Sequence, residues 1–278
     1  MKLPPVLVEK VVPADSAARS ERDRSFLIFA GVVLVAIALG FKSELLGPGQ
    51  VWAVALGLVV VAAPAVLGYL RGAEEFPRIE HYIPVALGAI TLAGLSSLVP
   101  ELWKYALFTV VFGGGFIMAA RLDYLRLRDA EKRGHVVLQE LLLVFGYTGA
   151  MWAIVWLEYQ SELNPILYLV WVFTITFLAS YRSFRINGIA IAPRRAFTFA
   201  LFVAQVVTFL AWAISALSLY LIIEPNIKTI MFLFAWYINR GLVRHTVEDS
   251  FNRNVIIEYG FFAIALIVLF VSSYQPNR

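Results

Sequence analysis

The sequence predicts an all-α protein, a polytopic membrane bundle of about nine transmembrane helices with a cytoplasmic N-terminus and an external C-terminus. Three observations carry that prediction. Hydrophobic residues fill 60% of the 278 positions and charged residues only 15%, against about 25% charge in ordinary soluble domains. A soluble globule of this size cannot hide so much apolar surface, whereas a bilayer solvates it. The apolar residues gather into nine runs, most of them near the roughly 20 residues that a spanning helix needs. Threading those runs in and out of a membrane then sorts the basic residues onto one side.

Residues 1–25 are polar, with Pro4, Pro5 and Pro13 among mixed charges, and read as a flexible cytosolic tail. The single membrane domain spans 26–274. Its first run, 26–41, contains Ala36-Ile37-Ala38, a pattern that signal peptidase favours. Glu9, Asp15, Glu21 and Asp23 precede it, whereas leaders start short and basic, so the run reads as a retained helix. Further runs lie at about 51–70, 83–99, 103–120, 137–157, 165–181, 196–223, 226–239 and 255–274. The first and eighth are short and borrow flanking residues; the long seventh has room to tilt. Residues 275–278 form an external tail.

The positive-inside rule fixes the count. Of the 23 basic residues, all but Lys42, Lys104, Lys228 and Arg278 fall in inner segments under this threading. Removing one helix would send several Arg-rich loops outside. Trp52, Trp103, Trp156 and Tyr159 fall near outer ends, and Tyr82, Tyr181, Trp236 and Tyr237 near inner ends, where rings with a polar tip favour the headgroup layer. The same bias explains the net charge of +4 without a nucleic-acid partner. The expected location is a plasma membrane of prokaryotic type, and the expected partners are membrane lipids, anionic headgroups among them.

Local features refine the picture. Ala53, Gly57, Ala65, Gly68 and Gly72 in the second run, and Ala86, Ala89, Ala93 and Ser96 in the third, predict close packing of helices two to four. The aromatic helices five to eight are bulkier and could leave a cleft. Pro64 and Gly113-Gly114-Gly115 mark places where helices could kink or unwind. Residues 121–133 read as a helical extension with same-face pairs Asp123–Arg126 and Asp129–Arg133, ended by Gly134.

Chemistry-bearing residues are few. The absence of cysteine excludes disulfides and thiolate sites. No phosphate loop or H-E-x-x-H motif is present, and no cofactor or metal is expected. Glu140 and Glu258 sit about one turn inside their helices, and Gln205 is the deepest strongly polar side chain, expected to bond across helices. The segment 240–253 would, if helical, stack Arg244 on Glu248, His245 on Asp249 and Asp249 on Arg253. His245, Glu248 and Asp249 are therefore the weak catalytic candidates. A ligand site is expected at the cytosolic side, drawing on Arg182, Arg185, Arg194, Arg195, Arg240, Arg244, Glu140 and Gln205. There guanidinium forks suit phosphate oxygens and aromatic walls suit an acyl or prenyl tail. Three function classes remain, in this order: a non-enzymatic scaffold or assembly factor; a binder or transporter of amphipathic anionic lipid-like molecules; and a lipid-modifying enzyme at the cytosolic interface.

Overall fold

The computed structural model describes residues 78–128, 133–160, 163–186, 191–217 and 223–273. The tail at 1–25, the first two apolar runs, Pro64 and residues 275–278 lie outside the described residues. Within them the chain is helical and contains no strand. A 3-10 turn (Ile79–His81) leads into α1 (Ile83–Leu98), α2 (Leu102–Arg128), α3 (Arg133–Tyr159), α4 (Pro165–Ile186), α5 (Pro193–Leu217), α6 (Pro225–Val247) and α7 (Arg253–Ser272). These correspond to the third to ninth apolar runs. All but α6 are long and apolar enough to cross a membrane.

Helix starts follow from side-chain chemistry. Proline opens α4, α5 and α6 and stands second in α1, where its missing N–H costs nothing and its fixed φ suits the first turn. Asn252 caps α7 by accepting the Val255 amide at 3.0 Å. Val99, extended before Pro100, stops α1.

The helices alternate up and down, so their arginine-bearing ends share one end of the bundle. α3 is central and touches α1, α2, α4 and α6; α5 packs on α4 and α6, and α7 on α6. α1 and α3 approach closely at Gly94, where a Cβ would meet Ala153 Cβ at 2.6 Å. A small residue of the third run thus serves a contact with the fifth helix. Between α3, α4 and α6 the centre is filled by Tyr147, Tyr168, Phe232 and Trp236, with Tyr147 and Trp236 stacked at 4.4 Å. Outward faces are apolar: Phe202, Phe209, Trp212, Phe261, Ile264 and Val271 are all exposed.

Several local expectations are corrected. α2 runs unbroken through Gly113-Gly114-Gly115, its backbone bonds being intact without side chains there. α2 does extend past 121, and Asp123 turns into the bundle, where Arg182, Gln139 and His81 meet it; the side chain of Arg126 lies outside the described residues. Gly134 lies in the first turn of α3 and ends no helix. The eighth run is longer than its apolar stretch: α6 includes Lys228, Arg240 and Arg244, whose charges are met from neighbouring helices.

Candidate functional site

The basic end is built around one carboxylate. Asp123, near the end of α2, is 2% exposed. A carboxylate has room for several donors, and this one receives four hydrogen bonds. Arg182 of α4 gives Nη2 to Oδ1 at 2.9 Å and Oδ2 at 3.1 Å. Gln139 of α3 donates Nε2 to Oδ1 at 2.9 Å. His81 of the 3-10 turn places Nδ1 3.0 Å from Oδ2; since an ionised carboxylate only accepts, that nitrogen carries the proton. The same logic fixes the Gln139 amide orientation and leaves its Oε1 without a partner among the described residues.

A second carboxylate extends the cluster. Buried Glu80 accepts from Arg185 Nη2 at 3.1 Å, and its backbone carbonyl accepts from Arg182 Nη1. Arg185 also gives Nη1 to the Ile191 carbonyl at 2.7 Å, pinning the entry to α5. Two carboxylates thus balance two guanidiniums in a place where an unpaired charge would be costly. Beside this lies a half-buried group. Glu140 accepts from Arg240 at 2.6 Å and faces Arg244 at 3.6 Å, while Arg244 also bonds Glu248 at 2.8 Å. Arg240 donates to Ser183 at 3.0 Å and lies 4.8 Å over the Trp236 ring.

The opposite end repeats the device once. Buried Lys228 of α6 pairs with Glu158 of α3 at 3.2 Å. Trp152 and Trp156 donate to Asn226 at 3.0 and 3.4 Å. Glu140 and Glu158 are about 27 Å apart along α3 at about 1.5 Å per residue, close to the thickness of a hydrocarbon core. α3 and α6 are therefore tied near both ends.

Two hollows adjoin these clusters. One, of about 30 Å³, lies between α1, α2 and α3 and is lined by Gly88, Phe112, Gly115, Gly146, Gln139 and Arg182. It has room for water and none for an acyl chain. The other is an open shelf of about 480 Å³ between the start of α5 and the end of α6, lined by Arg194, Arg195, Thr198, Phe199 and Val247. Arg194 and Arg195 are exposed in the first turn of α5, where positive charge opposes the helix dipole. Phe199 packs edge-on against Phe184 of α4 at 6.1 Å, giving the shelf an aromatic wall.

The sequence candidates divide accordingly. Arg182, Arg185 and Arg240 are inside the protein and engaged with carboxylates; Arg244 is engaged at the edge with Glu140 and Glu248. Arg194 and Arg195 stand apart on the shelf. The Arg244–Glu248 pair forms as spaced. His245 does not stack on Asp249, because α6 ends at Val247 and Asp249 takes a left-handed turn at φ 50°. His245 Nδ1 meets Ser250 Oγ at 2.8 Å instead. Among the described residues no group of three or more metal-ligating side chains converges. Glu258 accepts from Tyr237 at 2.6 Å. Among the described residues Gln205 bonds across no helix: it is exposed on the outer face of α5.

Glu80, His81 and Gln139 were not singled out from the sequence, and Asp123 was read only as a same-helix partner of Arg126. The available signal was that each stands at the margin of an apolar run, where a polar side chain can turn into the bundle as readily as away from it. Comparison with protein-family models, with curated proteins and with solved structures finds no match.

Proposed function

We propose that this protein is an integral membrane protein of nine spans that binds an anionic amphiphile, a lipid with a phosphate-bearing headgroup, at its cytosolic face. The observation that supports this reading most is the shelf at the start of α5. It combines two exposed arginines, the Thr198 hydroxyl and the apolar surface of Phe199 and Val247 around about 480 Å³ of open volume. A guanidinium pair meets phosphate oxygens with directed hydrogen bonds, and anionic charge at a helix N-terminus is favourable in its own right. The buried network beneath serves the shelf: Arg185 holds the Ile191 carbonyl and so fixes where α5 begins. Under the positive-inside reading this end faces the cytoplasm, where anionic lipid is concentrated.

The test replaces Arg194 and Arg195 together by Gln in the full chain, with a reporter fused after Arg278 reading external in both proteins. Native mass spectrometry on protein extracted from membranes rich in anionic phospholipid should show a bound lipid on the parent chain and its loss from the variant. Equal lipid occupancy in the two proteins would refute the reading.

A scaffold role is the second reading, favoured by the ion network itself. Every charged side chain described above as buried is tied to a different helix or to the 3-10 turn, an arrangement that holds helices in place. If the double variant keeps its lipid content and stability, the scaffold reading stands in place of the first.

A further inference from the structure

Gln205 is the midpoint of α5, twelve residues from either end of a helix long and apolar enough to span. At about 1.5 Å per residue that puts it about 18 Å from each end, beyond reach of headgroup water. Its side chain is nevertheless exposed on the outer surface, and among the described residues its carboxamide has no hydrogen-bond partner. A polar amide facing hydrocarbon is unfavourable.

The face around it has a pattern. From Thr198 onward, the exposed residues of α5 before its last residue are Thr198, Phe202, Gln205, Phe209, Trp212 and Ala216. Their spacing alternates between four and three, the repeat that lets two helices pack along a shared seam. Phe209 and Trp212 are in mutual ring contact at 5.7 Å, a firm wall on one side of the glutamine.

We infer that α5 is the self-association face of this protein, and that its partner is a second copy of the same helix, with Gln205 hydrogen-bonded to Gln205. The occupant must supply a polar group at the same depth. A second copy does so automatically, because every copy inserts with the same topology and carries the residue at the same level. The carboxamide is also self-complementary, with an N–H donor and a carbonyl acceptor. Two of them related by a two-fold axis satisfy each other, and a single polar residue in an apolar seam fixes register. This inference does not rest on the lipid reading; the seam and the shelf share Thr198 alone.

The chain has no cysteine, so single cysteines report cleanly. The full chain is reconstituted in phosphatidylcholine vesicles with a cysteine at Phe209 or, separately, at Ala216, and oxidised. Disulfide-linked dimer should form at one or both positions. A cysteine at Phe261, exposed on α7, should leave the chain monomeric. Adding Gln205→Leu should weaken dimerisation about tenfold, as expected for loss of an interhelical hydrogen bond in a membrane, while Gln205→Asn should retain most of it. Gln205 is exposed on α5, so the leucine variant still folds; photobleaching step counts at graded dilution give the affinity without any cross-link. A chain that stays monomeric at every dilution, as when this face is covered from within the same chain, overturns the inference. So does a dimer indifferent to Gln205→Leu.

Discussion

α6 and α7 are neighbours in the chain and in space, yet they are opposites. α6 is the one described helix not apolar enough to count as a span on composition, and it lies deep in the bundle, with Lys228, Trp236 and Arg240 buried. α7 is the most apolar of the spans, and only Val255 and Tyr259 are buried along it. In water the order would be reversed. In lipid, apolar side chains gain little by leaving hydrocarbon for protein, whereas polar ones must find partners. The polar helix therefore goes to the centre and the greasy one to the rim. Along α6 the positions Lys228, Phe232, Trp236, Arg240 and Arg244 follow one another every four residues on one face. Partners from α3 and α4 meet its polar members: Glu158, Ser180, Ser183 and Glu140.

If polar contacts hold the centre, the largest loss should come from opening the best-sealed one. Asp123→Leu leaves Arg182 and His81 facing an apolar side chain inside the bundle. Removing one partner of a buried pair costs about 3–5 kcal/mol, so the thermal midpoint in mild detergent should drop steeply. Adding Arg182→Leu should restore part of the loss, because the stranded charge is then gone. A single variant as stable as the parent would break the comparison at its root.

The next effect is at the α6–α7 joint. A Cβ on Gly241 would collide with the Tyr259 ring, which also contacts Tyr237 and His245. Gly241→Ala should cost about 1–3 kcal/mol, as overpacking does, and the cost should be local. Amide exchange in the first turns of α7 should speed up while α3 and α4 stay protected. Global loosening would mean that α7 is integral to the core after all.

Much of this architecture was legible in the sequence, and the illegible part has a physical cause. Run length gave the seven described helices to within a few residues at most ends, because backbone in hydrocarbon must be helical and the bilayer sets its length. α6 was the exception: its apolar stretch at 226–239 is shorter than the helix, since its charges are neutralised by partners the local sequence does not show. Lys228 and Arg240 read as end markers and are interhelical ties. Asp123 offered a partner three residues away in Arg126, whereas Arg182, which does bond it, is 59 residues distant. Spacing within a helix reports neighbours on that helix only. The Arg194–Arg195 pair was legible because it depends on nothing beyond Pro193 starting a helix. The fate of Gln205 was not, because whether a mid-helix amide faces in or out depends on a rotation that one polar residue leaves undetermined.

The smallest effect should come from the rim, and there the same substitution can be placed in both settings. Ile264 on α7 is 63% exposed, and Ile175 on α4 is fully buried. Removing one methyl from Ile175 leaves a void among packed neighbours, and Ile→Val in a core costs about 0.5–1.5 kcal/mol. Removing it from Ile264 leaves a surface that lipid or detergent chains refill, so the change should stay within about 0.5 kcal/mol. Equilibrium unfolding of the two variants in the same mixed micelles measures the difference directly. An Ile264→Val cost equal to that of Ile175→Val would mean that α7 packs against protein along this face. The helix would then have to be redrawn as an interior element, and its apolarity would no longer mark the boundary of the bundle.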